Sequence, residues 1–274
     1  MINDITLGQF FPVDSPIHRL DPRVKILSSL CFIVAVFFAN GLSGYVFVAA
    51  FTFAVILLSK VPVRLYLKGL KPLIFIIVFT SAINLFMTDG EIVRIGGTYL
   101  KFGFLKITVE GVKMAVKMSL RLVFLVVGTS VLTFTTSPIV LTDGIESLLS
   151  PFKKIGVPAH ELAMMMSIAI RFIPTLLEET DKIMKAQASR GANFESGNVI
   201  KRIKALVPIL VPLFISSFRR ADELALAMEC RCYRGGKGRT RLKSLKICPA
   251  DYAASFVMAG FVAVIVFINV FVRV

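Results

Sequence analysis

Two stretches of this chain end in an arginine set among small or turn-forming residues: Ala188-Ser189-Arg190-Gly191, and Glu229-Cys230-Arg231-Cys232-Tyr233-Arg234-Gly235-Gly236. A guanidinium is a planar fork of donors that pairs bidentately with a carboxylate, so an arginine held at a helix tip can fix a partner in one orientation. Helix capping gives a blander account of the same residues. A cation in the last turn complements the macrodipole by about 0.3–1 kcal/mol when exposed, and glycine is the usual residue after a helix end. Gly191 follows Arg190 directly and Gly235-Gly236 follow Arg234, and both are read as helix stops. One such ending would mean little; two, each closing a long apolar stretch, point to a pair of docking elements.

Other chemistry is thin. The Cys230-Xaa-Cys232 pair has no histidine or second cysteine pair near it in sequence, the histidines being His18 and His160 and the other cysteines Cys31 and Cys248, so no metal site is expected. Disulfides are not expected either, because these thiols fall in the membrane or on its cytoplasmic side. Gly235-Gly236-Lys237-Gly238 lacks the leading glycine and the Ser/Thr after lysine of a phosphate-binding loop. Glu178, Glu179 and Asp181 are the best carboxylate grouping and read as a solvated helix face. No catalytic residue and no cofactor is expected, and the chain is not expected to hydrolyse ATP. No span carries the ionisable residues of an ion pathway, so energy for any transport must come from a partner.

The elements that position the arginines are membrane elements. Of 274 residues, 56% are hydrophobic and 18% charged, with a mean hydropathy of +0.79, outside the range of an ordinary soluble domain. Uncharged runs long enough to approach a ~30 Å hydrocarbon core occur at Ile26–Ser59, Pro72–Thr88, Leu122–Thr142 and Tyr252–Val272. The first is too long for one span and holds Asn40-Gly41 near its middle, which predicts two short helices joined by a turn. The reading is an all-α integral membrane protein of about five spans, with four in residues 1–142, a cytoplasmic helical coupling domain at 143–251 and the last span at 252–274. Within the coupling domain Ala205–Phe218, with Pro208 and Pro212 inside, is the nearest rival to a span; as a helix it reaches only about 21 Å.

The formal charge of +15 is distributed as membrane topology requires rather than as a nucleic-acid surface, and no nucleic-acid partner is expected. Residues 153–246 hold 18 of the 32 lysines and arginines, the Lys60–Lys71 loop holds four and the Asn40–Gly44 turn none, which places the large block and the N-terminus in the cytoplasm. Met1–Arg19 is mixed, with Asp4, Asp14 and two prolines, and is not expected to be a cleavable signal. Asp21-Pro22 reads as a helix start, with Arg23 and Lys25 anchoring the first span at the headgroups. Residues 91–108 surround Gly96-Gly97 with apolar residues and predict a small external hairpin. Lys113, Lys117 and Arg121 form one helical stripe, expected to snorkel to the outer interface.

Inside the basic block, a short helix is predicted over Ile145–Leu149, ended by Pro151. One long helix should run from Pro158 to Arg190, bent at Pro174, and a second from about Val199 to Arg231. Each is too apolar at its start to be solvated and too polar at its end for lipid.

The strings Ser15-Pro16-Ile17-His18-Arg19-Leu20-Asp21-Pro22-Arg23-Val24-Lys25, Thr136-Ser137-Pro138, Arg171-Phe172-Ile173-Pro174-Thr175-Leu176 and Ala186-Gln187-Ala188-Ser189-Arg190-Gly191, in this order, resemble the transmembrane T component of energy-coupling factor transporters. In that family two short motifs, commonly Ala-Arg-Gly, end two coupling helices and enter grooves in a pair of ATP-binding-cassette subunits. The matching triplets are Ser189-Arg190-Gly191 and Cys230-Arg231-Cys232, the second departing at both flanking positions. The resemblance implies a subunit of a bacterial or archaeal plasma membrane that joins two ATPases to a small membrane-embedded S component, which captures a vitamin or another micronutrient. Leu162, Met164, Met165 and Met166, at the apolar start of the first coupling helix, would form the surface on which the S component rests. The alternative is a non-transporting membrane scaffold or receptor for an acidic cytoplasmic protein, bound through the basic block.

Overall fold

The computed structural model describes residues 10–88, 108–192, 199–236 and 245–271, and the backbone of 94–95, 98–99, 101–102 and 105–106. In chain order the α-helices are α1 (Pro22–Phe38), α2 (Gly41–Ser59), α3 (Val63–Leu70), α4 (Ile74–Met87), α5 (Val109–Thr135), α6 (Pro138–Leu149), α7 (Ala159–Ser189), α8 (Val199–Cys230) and α9 (Pro249–Phe271). Between α4 and α5 lie two antiparallel hairpins of two-residue strands, β1 (Arg94–Ile95) with β2 (Thr98–Tyr99) and β3 (Lys101–Phe102) with β4 (Leu105–Lys106). The all-α membrane class expected from composition is the class observed. Lys237–Ser244 and Met1–Gln9, which entered the charge and signal readings, lie outside the described residues.

Among the described residues, five helical stretches are long and apolar enough to cross a membrane: Gly41–Ser59, Val63–Met87, Val109–Thr135, Ala159–Ser189 and Pro249–Phe271. The number is the expected one, with one difference in membership. Helix α1, expected as the first span, has 17 residues and so reaches about 25 Å. Helix α7, expected outside the bilayer, has 31 residues and contains an 18-residue stretch apolar enough to cross. Reading only uncharged runs discounts it, because Glu161 and Arg171 interrupt its apolar half without making that half polar.

Helix α5 takes in the predicted stripe of Lys113, Lys117 and Arg121 and begins thirteen residues before the uncharged run at Leu122, where Thr108 accepts a hydrogen bond from the Gly111 N–H at 3.0 Å and so caps it. The predicted run to Thr142 breaks at Thr136-Ser137. Pro138 disfavours helical backbone in the residue before it and opens α6 instead. The predicted Ile145–Leu149 helix is the last part of α6, which passes into a 3-10 turn at Ser150–Ile155.

The chain forms two compact units, one of Phe10–Ser137 with Leu245–Val274, the other containing Pro138–Ser244. In the first, α1 packs on α9 and α5, α2 on α5 and α9, and α4 on α5. Its core joins Phe32, Ala35 and Val36 of α1 to Val48 of α2 and to Phe261 and Ile265 of α9. The Phe261 ring stacks on Phe51 at 4.0 Å and on Phe32 at 5.9 Å. Gly128 of α5 is what admits Phe32, since a Cβ there would lie 2.2 Å from its ring.

Both ends of this bundle are closed by polar clamps. At one, Asp251 is 2% exposed and accepts from the backbone N–H of Asp21 and of Cys248, each at 2.7 Å, tying the starts of α1 and α9 together. Asp21 caps α1 through the Arg23 N–H at 2.9 Å. Lys25 does not reach the headgroups as predicted; it is 8% exposed and its Nζ donates to the carbonyls of His18 at 2.9 Å and Thr135 at 3.0 Å. His18 donates from Nε2 to the Phe11 carbonyl at 3.0 Å, and its Nδ1 is hydrogen-bonded to the Ser15 hydroxyl at 2.7 Å. At the other end, Lys117 donates to Asn40 Oδ1 at 2.5 Å, while Arg121 donates to the Phe37 carbonyl at 3.2 Å and lies over the Phe37 ring. Asn269 donates to the Phe38 carbonyl and accepts from the Asn40 N–H. The stripe read as snorkelling is therefore in part a clamp on the α1–α2 turn, where carbonyls at a helix end need donors.

Candidate docking site

The two arginines belong to the second unit, where α6 packs on α7 and α7 on α8. Helices α7 and α8 run antiparallel: Glu179 of α7 accepts from Ser216 at 2.6 Å and Arg220 at 2.9 Å of α8, and Met164 near the start of α7 shares a cleft with Met228 and Arg231 at the end of α8. The two tips thus lie at opposite ends of one helix pair. The 26 residues of α7 from Met164 to Arg190 span about 39 Å as a helix. Glu179 stands eleven residues before Arg190, and Arg220 eleven before Arg231, so this polar link sits about 16 Å behind each tip.

The tips share one backbone solution. After α7, the Gly191 N–H donates to the Ala188 carbonyl at 2.9 Å and the Ala192 N–H to Gln187 at 3.0 Å. After α8, the Cys232 N–H donates to the Glu229 carbonyl at 2.8 Å and the Tyr233 N–H to Met228 at 3.0 Å. Each is the paired 5→2 and 6→1 pattern of a Schellman cap. Arg190 and Arg231 both occupy the capping position, Ser189 and Cys230 the last helical position, and Gly191 and Cys232 the left-handed residue at φ +88° and +54°. The expected second stop is corrected here: Cys232 closes α8, and Gly235, at φ +75°, shapes the next turn. An L-residue in this conformation costs roughly 1–2 kcal/mol, which glycine avoids at the first tip.

Their surroundings differ. Ser189, Arg190 and Gly191 are exposed, and a Cβ built on Gly191 meets nothing within 4 Å. At the second tip Cys230, Arg231 and Cys232 are also exposed, but the chain beyond them folds back on α7. A Cβ on Gly236 would lie 2.8 Å from His160, and His160 Nδ1 in turn meets Glu146 of α6 at 3.0 Å. Met164, Met228, Arg231, Cys232, Tyr233, Arg234 and Gly235 line a cleft of about 430 Å³ there.

The four residues expected to form one contact surface do not share a face. Leu162, Met165 and Met166 recur at i, i+3 and i+4 and are 39%, 55% and 43% exposed, whereas Met164 turns to the cleft of the second tip. A larger apolar surface runs along α8 within the Ala205–Phe218 stretch: Leu206, Leu210, Phe214 and Phe218, with Val207, Val211 and Ile215 beside them, are all about half exposed or more. Among the described residues no group of three metal-ligating side chains occurs.

Fold and site together define a multi-pass membrane protein that carries a pair of matched arginine-capped helices. The family model of CbiQ, described as cobalt transport protein, matches residues 14–242. The chain is 62% identical over 255 residues to an energy-coupling factor transporter transmembrane protein EcfT of Clostridium kluyveri, covering 93% of each chain. It is 57% identical over 263 residues to the protein of that name from Thermosediminibacter oceani (96% and 97% covered) and 49% over 246 to that from Bacillus subtilis (89% and 91%). The chain belongs to the CbiQ family, as a transmembrane energy-coupling subunit of an energy-coupling factor transporter. It is accordingly a multi-pass plasma-membrane component of a complex of several subunits.

Proposed function

We propose that this subunit links ATP hydrolysis by two separate ATPase chains to movement of a membrane-embedded S component that imports a vitamin or another micronutrient. The observation that carries the reading is the shared cap pattern at Arg190 and Arg231: two separate helix ends place an arginine at the same backbone position, and the reading assigns one to each ATPase. Ser189, Gly191, Cys230 and Cys232 frame the two arginines, so the docking elements are the triplets rather than the arginines alone. ATP hydrolysis is assigned to the partners, and this chain acts mechanically.

Closure of the ATPase pair would draw the tips toward each other. The link from Glu179 to Ser216 and Arg220 lies equally far behind both tips, so displacement of either one reaches the same crossing point. From there the motion passes to the apolar faces, Leu162, Met165 and Met166 on α7 and the Leu206–Phe218 stripe on α8, which are too extensive to be left in water. Methionine surfaces repack easily, which suits exchange of several S components. Met164, turned toward the second tip, is placed with the docking apparatus instead.

Reconstitution tests the reading. Liposomes holding this chain, its ATPases and an S component should accumulate solute only with ATP, and Arg190→Glu with Arg231→Glu should abolish accumulation while S-component binding of solute persists. Uptake by the chain alone, or unchanged uptake by the double variant, would overturn it.

A further inference from the structure

The fold has no use for the thiol of Cys232. Its position requires φ near +54°, where glycine is the least costly residue, and the first tip carries glycine at the equivalent place. Cys232 nevertheless lines the cleft between α7 and the second tip, together with Arg231 and Arg234 and the apolar Met164 and Met228. Cys232 is exposed and in no disulfide. A nucleophilic sulfur, two cations and an apolar floor in one cleft of about 430 Å³ repel a metal cation and suit a small organic anion that reacts with thiols.

We propose that this cleft is a reversible thiolation site for a low-molecular-weight disulfide bearing carboxylates, and that the adduct closes the second tip to docking. The step is thiol–disulfide exchange: the Cys232 thiolate attacks one sulfur of R–S–S–R, a Cys232–S–S–R bond forms, the old S–S bond breaks and R–S⁻ leaves. Cys232 is oxidised, the released half is reduced, and the disulfide is the oxidant. Arg231 and Arg234 receive the carboxylates, and the adduct occupies the space beside Arg231. Such caps on exposed thiols form when a normally reducing thiol pool becomes oxidised, and are removed when it recovers. Docking covers Cys232, so the reaction belongs to the undocked subunit and governs reassembly. The docking consequence rests on the proposed function; the reaction itself does not.

The test uses the full chain in inside-out membrane vesicles, treated with oxidised glutathione or with the uncharged hydroxyethyl disulfide, and read by peptide mass spectrometry. The adduct should form at Cys232 ahead of Cys230 and Cys248. At low salt the preference for the carboxylate-bearing reagent should be on the order of tenfold, shrinking at high salt and falling in Arg234→Gln. Equal rates for the two reagents, or equal labelling at Cys230, would overturn the site. The fully modified chain should lose retention of ATPase subunits and regain it with dithiothreitol, and Cys248→Ser, outside the docking triplets, should respond to the reagent as wild type does. Undiminished retention by the fully modified chain would overturn the gating. If reduced wild type retains no ATPase, the docking reading fails and gating falls with it, while the rate ratio still judges the site.

Discussion

Exchanging the left-handed residues of the two tips should move their stability in opposite directions. Cys232 holds φ +54°, and release from that conformation is worth roughly 1–2 kcal/mol for an L-residue. Cys232→Gly gains that amount and gives back about 0.4–1 kcal/mol through the more flexible unfolded chain, a net stabilisation near 0.5–1 kcal/mol. Gly191→Ala is the mirror experiment. Because nothing lies within 4 Å of the added Cβ, only the backbone penalty at φ +88° acts, and the net loss is about 1 kcal/mol. The readout is amide hydrogen exchange resolved to the caps. The Tyr233 N–H, bonded to Met228, should exchange about two- to fivefold more slowly in Cys232→Gly, and the Ala192 N–H, bonded to Gln187, about fivefold faster in Gly191→Ala. Changes of the same sign at both tips, or faster exchange at Tyr233, would refute the shared cap.

Further outcomes follow from the packing. Asp251→Ala removes two charge-assisted hydrogen bonds and leaves two amides at the starts of α1 and α9 without acceptors, so it should cost about 3–5 kcal/mol and show as loss of folded protein in membranes. Gly128→Ala sets a Cβ 2.2 Å from Phe32 and should lower stability by about 1–3 kcal/mol; Phe32→Leu in the same chain should recover part of the loss, seen as a rise in Tm. Glu179→Ala breaks a part-exposed link and should cost no more than about 1 kcal/mol, yet uptake per ATP hydrolysed should fall, because the tips then move separately.

Much of the helical plan was legible because its signals are local. Pro158, Arg190, Val199 and Arg231 bracketed α7 and α8 to within a residue, since apolar periodicity and cap residues act over a few positions. Asn40-Gly41 likewise marked the turn between α1 and α2, where Gly41 stands at φ +73°. The helical stripe of Lys113, Lys117 and Arg121 at the start of α5 was legible, but not what it holds, because the acceptors of Lys117 and Arg121, Asn40 and Phe37, lie far away in sequence. Lys25 was misplaced for the same reason: a lysine near a span end snorkels by default, and only the fold brings Thr135 to it. At the site, the arginines and their flanking triplets were visible. The end of α8 at Arg231 was legible but its left-handed capping residue was not, because glycine is the usual residue there and the fold uses Cys232. Nor could sequence alone turn Met164 from the face of Leu162, Met165 and Met166, since only the return of Tyr233–Gly236 onto α7 forms the cleft it lines.

The central claim, one arginine tip for each ATPase, is tested most directly by native mass spectrometry of complexes extracted from membranes. The account predicts two ATPase chains for each copy of wild type, one for Arg190→Glu or Arg231→Glu, and none for the double variant, with the S component retained throughout. Two ATPases on the double variant would contradict it.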